Sequence, residues 1–292
     1  MTIAIFGNPY PEHFSKYIQH LIKKLETEHI NLIIEEGFSV FLKNNIRFNK
    51  SINTFNSYET LKDKADFLFS IGGDGTLLKA VTYVRDSDIP ILGINTGRLG
   101  FISSVSADQI DEAITDVLKE NYNINERILL ELSTSKQLFK AKNFALNEVA
   151  VSKKDTSSMI RIDAFVDDEF LNTYWADGLV VSTPTGSTGY SLSCGGPIIM
   201  PGTNNIIITP NAPHNLNVRP IVIDDNSVIK LKVEDRDQLA LVSLDSRSRA
   251  FDAETELTIK KAGFKTKLIQ PQNNSFTTTI RHKLMWGLDK RS

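Results

Sequence analysis

The sequence predicts an α/β domain built on a parallel sheet, then a β-rich domain and a short C-terminal helix. In its first part, apolar runs of strand length alternate with segments of helical periodicity. After Arg127 the pattern changes to short alternating segments separated by turn residues. The length of 292 residues exceeds that of one usual domain. We therefore expect an α/β domain over residues 1–120, a β-rich domain over 121–275 and a helix over 276–292.

Four strand-like runs in the first domain are each followed by a helix-like run. Residues 2–7 precede a stretch with apolar side chains at helical spacing, namely Phe14, Ile18, Leu21, Ile22 and Leu25. The other three pairs are NLIIEE with GFSVFLKN, DFLFSIGG with TLLKAVTYVR, and IPILGIN with SADQIDEAITDVLKEN. Such alternation predicts a parallel sheet with helices on both faces.

The second domain contains a candidate hairpin in MIRIDAFV and FLNTYWA, which flank Asp167, Asp168 and Glu169. An acidic cluster can bind a metal, but between two alternating runs a turn is the favoured interpretation. Near the C-terminus, Ile280, Leu284 and Met285 share one face of a helix that starts at about Thr277. We expect this helix to end at Gly287 and to pack back on the first domain.

Composition disfavours several classes of partner and location. The formal net charge is −2 and the basic residues are scattered, so neither nucleic acid nor a membrane surface is an expected partner. The N-terminus lacks the features of a signal peptide, and no apolar run approaches the roughly 20 residues of a membrane span. The single cysteine, Cys194, fits a reducing compartment. We expect a cytoplasmic protein.

A glycine-rich turn at residues 71–76 is the strongest local signal for chemistry. It stands where a buried strand ends and a helix begins. Open α/β sheets bind their ligands at such carboxyl ends of strands. Its glycines, Gly72, Gly73 and Gly75, let the backbone approach a bulky anion, and N–H groups at the helix start favour phosphate. Asp74 is unfavourable in a simple anion site, so it is expected to accept a hydroxyl proton or to hold Mg²⁺. The alternative is a tight turn in which Asp74 caps the helix.

Common nucleotide signatures are missing, since the chain contains no GxxxxGK[ST] and no GxGxxG after a strand. A second candidate is the run from Asp177 to Pro197, rich in small hydroxylated residues and glycines that suit ribose, phosphate or amide groups. Tyr190 in this run stacks on a planar ring or packs internally. A third candidate is Asn147-Glu148, a polar pair inside a β-run that is costly to bury without a partner.

Together these motifs resemble those of bacterial-type NAD kinases. In order and approximate spacing they are GGDGT at 72–76, INTGRLGF at 94–101, LNEV at 146–149, DGLVVSTPTGSTGYSLSCGGPI at 177–198, PHNLNVRPIVI at 213–223 and LDS at 244–246. GGDG alone is shared with lipid kinases and phosphofructokinases, whereas its combination with NE and the long serine-threonine run is specific. The resemblance covers about residues 1–290.

The resemblance implies a Rossmann-like α/β domain with the GGDG loop and a β-sandwich-like C-terminal domain, with NAD in the cleft between them. It implies NAD and ATP as substrates, Mg²⁺ as cofactor and a homodimer or homotetramer. Asp74 matches the family's catalytic acidic residue and Gly75 its neighbour at the nucleotide. We expect the backbone N–H groups from Gly72 to Thr76 to cradle the phosphates of ATP.

Further site residues follow from the resemblance. Asn147 and Glu148 match the pair that contacts the ribose hydroxyls of NAD, and Asp177 matches an acidic residue of the site. Lys79 falls where the family often has a basic nucleotide contact, although a solvated helix face explains it equally well. The remaining matches are ligand-lining positions, namely Phe101 near adenine, Thr188, Gly189, Tyr190, Ser191, Leu192, Ser193 and Asp245.

Three positions depart from the family pattern. Gly189 replaces the usual alanine, which we expect to be tolerated. Trp175 replaces an arginine or histidine that reaches toward the ligand. Arg247 replaces a common glutamine and is expected to add a phosphate contact.

The implied reaction is transfer of the γ-phosphoryl group of ATP to the 2′-hydroxyl of the adenosine ribose of NAD, with Asp74 as the base. Two alternatives remain open on the sequence. One is a lipid kinase that shares GGDGT, and the other is a non-catalytic NAD(P) sensor.

Overall fold

The computed structural model describes residues 1–49, 51–97, 100–103, 105–154, 159–234, 239–271 and 275–286. The chain divides into two compact units, one comprising Met1–Glu126 with Thr266–Ser292 and the other Arg127–Lys265. The second division falls at residue 265, whereas the sequence suggested 275. The reason is that the end of the last strand pairs with the parallel sheet of the first unit, where Leu268 lies opposite Ile91.

The first unit contains a parallel sheet in the order β5-β4-β1-β2-β3. Its strands are β1 (Thr2–Gly7), β2 (Asn31–Glu35), β3 (Asn53–Phe55), β4 (Phe67–Ile71) and β5 (Ile91–Ile94). All five residues of β4 are buried, as expected for a strand covered on both faces. The four strands expected from the sequence are confirmed, while the three-residue β3 carries too short a pattern to be predicted.

Helices of this unit differ in how much of their surface is buried, from one residue in α3 to most of α4. They are α1 (Ser15–Thr27), α2 (Glu36–Asn45), α3 (Tyr58–Leu61), α4 (Asp74–Val84) and α5 (Ile110–Leu118). In α1 the buried side chains are Ile18, Leu21, Ile22 and Leu25, at the predicted spacing. They join Phe69 of β4 in one apolar core.

The second unit is built from antiparallel strands in two layers. Its elements are β6 (Tyr122–Ser133, which starts in the first unit), β7 (Phe144–Ala145), β8 (Glu148–Lys153), β9 (Ile160–Val166), β10 (Glu169–Ala176), β11 (Gly178–Ser182), α6 (Tyr190–Ser193), β12 (Asn205–Asn211), β13 (Ile221–Asp224), β14 (Ile229–Glu234), β15 (Leu239–Leu244), β16 (Arg247–Asp252) and β17 (Leu257–Pro271). One layer has the order β13-β12-β11-β8-β15-β16, and the other contains β10-β9-β14-β17.

Side chains from both layers form a single core, in which Val149 and Val181 of one layer join Ile162 and Leu231 of the other. The unit is therefore β-sandwich-like, which confirms the expectation. The predicted hairpin is also present, because Asp167 and Asp168 join β9 to β10 with φ of 52° and 67°. Two successive residues of positive φ are typical of a tight hairpin turn, so this acidic cluster serves the turn.

The final helix, α7 (Phe276–Leu284), belongs to the first unit. It ends at Met285, which adopts the left-handed conformation with φ of 56°, whereas the sequence suggested Gly287. Gly287 lies outside the described residues. Within the part of the chain that the structure describes, no helix has the length and apolar character needed to cross a bilayer.

Candidate functional site

The glycine-rich turn joins β4 to α4, and its first glycine is required by the fold. Gly72 has φ of 148°, and a Cβ atom there would lie 2.3 Å from Thr76 Oγ1. Its N–H donates to Ile94 O at 2.9 Å, so it is not free to bind a ligand. The Thr76 N–H likewise donates to Gly73 O at 2.9 Å. The N–H groups at the two ends of the predicted phosphate cradle, those of Gly72 and Thr76, are therefore already used within the protein.

Open space surrounds the other two glycines of the turn. A Cβ atom on Gly73 or Gly75 would meet nothing within 4 Å. The N–H groups of Gly73, Asp74 and Gly75 precede the first hydrogen bond of α4 and have no partner within the helix. Three backbone donors at the start of α4 are thus left without a helical partner, and the side-chain space at two of these residues is open. This arrangement suits an anion at the positive end of a helix.

The Asp74 carboxylate accepts backbone hydrogen bonds from the loop that follows β5. Its Oδ2 accepts the N–H of Phe101 at 2.8 Å, and its Oδ1 accepts those of Ile102 at 3.2 Å and Ser103 at 2.9 Å. A Cβ atom on Gly100 would lie 1.9 Å from Asp74 Oδ1, so glycine at 100 permits this approach. The helix cap is Gly73 and α4 begins at Asp74, so the capping alternative is wrong.

The three contacts leave Asp74 with acceptor capacity. A carboxylate offers about four lone-pair sites, and Oδ2 receives only one N–H. Ser103 Oγ donates to Gly72 O at 2.9 Å, and this hydrogen bond connects the loop after β5 to the glycine-rich turn. The arrangement therefore holds a carboxylate oxygen in a fixed position beside three open backbone N–H groups.

In the second unit, an analogous contact fixes the Asn147–Glu148 pair at the start of β8. The Asp245 carboxylate accepts the N–H groups of Leu146 at 3.0 Å, Asn147 at 2.8 Å and Glu148 at 3.3 Å. In return, the Asp245 N–H donates to Glu148 O at 3.0 Å. Asp245 is almost fully buried, and burial raises its pKa. Its carboxylate thus serves the backbone, contrary to the direct ligand contact that the sequence suggested.

Glu148 is a buried carboxyl group with an unused oxygen. Its residue is 8% exposed, and burial, reinforced by the nearby Asp245, raises its pKa to about 8 against a backbone hydrogen bond from Tyr190. Glu148 Oε2 and Asn147 Oδ1 are buried without a hydrogen-bond partner among the described residues. Because buried polar atoms are normally paired, two such acceptors side by side indicate a ligand with hydroxyl or amide donors.

Much of the serine-threonine run is used internally. Thr183 Oγ1 donates to Leu146 O at 2.6 Å, Ser187 Oγ to Pro184 O at 2.7 Å, and Ser191 Oγ pairs with Thr209 Oγ1 at 2.9 Å. These hydroxyls hold the turn between β11 and α6, and Ser191, which was expected to line the ligand site, is fully buried. Exposure begins at Thr188 and Gly189 and is greatest at Tyr190 and Ser193, while Leu192 is half-buried.

Two known domain families match the chain. The ATP-NAD kinase N-terminal domain matches residues 3–122, and the ATP-NAD kinase C-terminal domain matches residues 146–271. The NAD kinase of Flavobacterium psychrophilum is 49% identical, and that of Christiangramia forsetii 46%, each over the whole length of both chains. The chain belongs to the ATP-NAD kinase family.

Solved structures agree with this membership. An NAD kinase from Archaeoglobus fulgidus in complex with ATP has a TM-score of 0.76 at 26% identity and covers 98% of this chain and 99% of its own. Yeast NADH kinase complexed with NADH has a TM-score of 0.88, covers 99% of this chain and 89% of its own, and at 22% identity shows the fold alone.

Other family positions acquire defined contacts. Asp177 forms an ion pair with Lys153, whose Nζ lies 2.7 Å from Asp177 Oδ1. Tyr190 is exposed and its hydroxyl accepts Asn211 Nδ2 at 2.8 Å. Lys79 is exposed on α4. Sequence reasoning missed Lys153 and Asn211, since nothing in the local pattern marks either residue.

Around the glycine-rich turn, two further residues escaped the sequence analysis. Asn8 follows β1 and its Nδ2 donates to Thr76 Oγ1 at 2.9 Å. Its place after a parallel strand, at the same edge as the turn, is a signal that could have found it. Lys283 of α7 lies 5.5 Å from the ring centroid of Phe101, in a cation–π contact.

The three departures from the family pattern have structural consequences. A Cβ atom on Gly189 would lie 2.9 Å from Glu148 Oε2 and 3.3 Å from Asn147 Nδ2, so glycine leaves more room beside this pair than the usual alanine would. Trp175 is 54% exposed on β10. Arg247 donates to the carbonyl oxygens of Lys142 and Phe144 rather than extending toward a phosphate.

The two kinds of glycine in the turn predict opposite effects on stability. Gly72→Ala adds a side chain at positive φ against Thr76, and we expect it to lower the free energy of unfolding by about 2–4 kcal/mol. Gly75→Ala, at a helical position in open space, should raise it by about 0.4–1 kcal/mol. Urea denaturation measures both variants. Equal destabilisation by the two substitutions would contradict this assignment.

Proposed function

We propose that this chain transfers the γ-phosphoryl group of ATP to the 2′-hydroxyl of the adenosine ribose of NAD and so forms NADP. Similarity to NAD kinases over the whole chain carries the proposal, because it includes both domains and every motif. The match of residues 146–271 to the ATP-NAD kinase C-terminal domain favours this function over that of a lipid kinase with the same GGDGT loop. The direct test is incubation with NAD, ATP and Mg²⁺, read through an NADP-specific dehydrogenase. Binding of NAD without NADP formation would favour a non-catalytic sensor.

In the proposed reaction, Asp74 accepts the proton of the 2′-hydroxyl. The open lone pair on Oδ2 supports this role, and the Phe101, Ile102 and Ser103 N–H groups hold the carboxylate in place. Phosphoryl transfer depends mainly on positioning and on stabilising charge, with a carboxylate to take the proton. A fixed carboxylate satisfies both requirements.

The phosphates of ATP would bind the open N–H groups of Gly73, Asp74 and Gly75. Lys79, one helical turn further on α4, lies exposed and would contribute positive charge. Bound Mg²⁺ neutralises charge on the phosphates. In proteins Mg²⁺ is usually bound by one or two carboxylates together with substrate phosphates and water.

On the acceptor side, Asn147 and Glu148 would receive the ribose hydroxyls of NAD. Their unpartnered buried oxygens support this, since hydroxyl donors would complete their hydrogen bonding. Asp177, held by Lys153, would orient the same substrate. Thr188, Gly189 and Leu192, which are partly exposed, and Tyr190 and Ser193, which are exposed, would line the adenosine and nicotinamide pockets. Phe101 would lie near the adenine.

We also propose that the protein is a cytoplasmic homo-oligomer. The edge strand β13 supports self-association, because Ile221 and Val222 on it are exposed and Leu216 nearby is 85% exposed. Apolar side chains on an unpaired strand edge favour association with another chain. Light scattering should give a multiple of the 32.7 kDa chain mass.

Replacing the carboxylate of Asp74 should chiefly affect the chemical step. We expect Asp74→Asn to lower kcat by about 10²–10⁴-fold, or roughly 3–5.5 kcal/mol of barrier, because the general base is lost. The KM values for NAD and ATP should change far less. The melting temperature should also fall, since the amide nitrogen would oppose a backbone N–H that the carboxylate accepts.

Ser103→Ala is the matched control, because it removes the bond to Gly72 O and loosens the same loop while keeping the carboxylate. We expect its kcat to stay within about fivefold of wild type although its stability falls by about 1–3 kcal/mol. If Ser103→Ala lost as much kcat as Asp74→Asn, order in the loop rather than the base would set the rate.

The raised pKa of Glu148 predicts that NAD binding depends on pH. With a pKa of about 8 the carboxyl is mostly protonated at neutral pH, and hydroxyl donors stabilise its ionised form. Binding should then release a proton, so the Kd of NAD should fall as pH rises toward 8, by up to about tenfold per pH unit, and level off above. Calorimetric titrations in buffers of different ionisation enthalpy measure the released proton.

Asp245, Tyr190 and Cys194 are the titratable groups near Glu148, so Glu148→Gln is needed to assign the effect. This variant should bind NAD more weakly, with a pH-independent Kd. Without NAD, the unfolded carboxyl ionises near 4.5 while the folded one keeps its proton to about 8. Wild-type stability should therefore fall between these pH values, on the order of a few kcal/mol.

Glu148→Gln should lack this fall, whereas the exposed Glu254→Gln should retain it. A Glu148→Gln variant with the wild-type pH slope, or with the wild-type Kd for NAD, would refute the role of this carboxyl.

A further inference from the structure

The turn between β15 and β16 contacts a segment about one hundred residues earlier in the chain. Asp245, with φ of 52°, reverses the chain there. Side chains on both sides of the turn point to residues 142–148. Asp245 accepts three successive N–H groups of this segment, and Arg247 donates to two of its carbonyl oxygens. The hairpin turn therefore binds the segment of residues 142–148 that leads into β8.

The side chains of Asp245 and Arg247 also interact with each other. Arg247 Nη2 lies 4.0 Å from Asp245 Oδ2, and the guanidinium lies 5.6 Å from the ring centroid of Phe144. Both side chains are largely shielded, with 22% of Arg247 and 4% of Asp245 exposed. In such surroundings a carboxylate needs donors, and the segment at 146–148 supplies them.

We propose that Asp245, braced by Arg247, is a positioning residue that holds the Asn147–Glu148 pair in the orientation that receives the hydroxyl groups of NAD. Its carboxylate is too buried to contact a ligand, and it acts on NAD only through the pair. The identity of the ligand rests on the proposed function, but the hydrogen bonds between Asp245 and residues 146–148 do not. Asp245 also places a negative charge near the Glu148 carboxyl, which favours the protonated form of that group.

A double-mutant cycle with Asp245→Asn and Glu148→Gln tests this role. At pH 9, where Glu148 is ionised in the wild type, Asp245→Asn should raise the Kd of NAD about tenfold through the displaced pair. In the Glu148→Gln background the same change should raise the Kd by a smaller factor, because only the Asn147 half of the pair then remains to be displaced. The KM for ATP should remain unchanged.

Asp225→Asn is the matched control, because Asp225 is an equally buried carboxylate of this unit, bound by Lys261 Nζ at 2.7 Å. It should lower the melting temperature without altering the Kd of NAD. If Asp245→Asn does not fold, Arg247→Gln removes the brace and keeps the carboxylate, and its effect on the Kd should also be smaller in the Glu148→Gln background.

A second readout needs no ligand. Carbon-13 NMR of the glutamate carboxyls should show Glu148 titrating at lower pH in Asp245→Asn than in wild type. Additive effects in the cycle, or an unchanged Glu148 titration, would overturn the proposal. If Glu148→Gln alone left NAD binding unchanged while the titration moved as expected, the role of Glu148 in the proposed function would fail and the positioning role of Asp245 would stand.

Discussion

The candidate site depends on one repeated interaction, a carboxylate that accepts three successive backbone N–H groups of a distant loop. Asp74 does so for residues 101–103 and Asp245 for residues 146–148. Hydrogen bonds to an ionised acceptor are stronger than neutral ones. Each carboxylate therefore fixes a segment that lies outside regular secondary structure or at its start. Functional groups held in this way are already in place before a substrate binds.

The two carboxylates differ in what remains available to a ligand. Asp74 is half-buried, next to open space at Gly73 and Gly75, and one of its oxygens receives a single N–H. Asp245 is almost fully enclosed, and the acceptors left open are those of the residues it holds. The same contact thus supports the proposed base in one unit and the proposed binding pair in the other. Glycine at 100 leaves the space that the Asp74 arrangement needs.

Much of this fold could be predicted from local pattern, because amphipathic spacing is encoded within a few residues. The stripe of α1 and the alternation of β9 and β10 are examples. Contacts between distant residues carry no local pattern. The Asp245 contact with Asn147 spans 98 positions, and the Lys153–Asp177 ion pair depends on strand pairing. Family resemblance placed Asp245 in the site, but only the structure shows that it serves the backbone.

Amide hydrogen exchange in the native protein tests the central claim most directly. The N–H groups of Phe101, Ser103 and Asn147 should exchange at least about 10³-fold more slowly than in an unstructured peptide, as amides of stable strands do. Asp74→Ala should remove this protection at Phe101 and Ser103 only, and Asp245→Ala at Asn147 only. Peptide-like exchange of these amides in the wild type, with the strands still protected, would contradict the account.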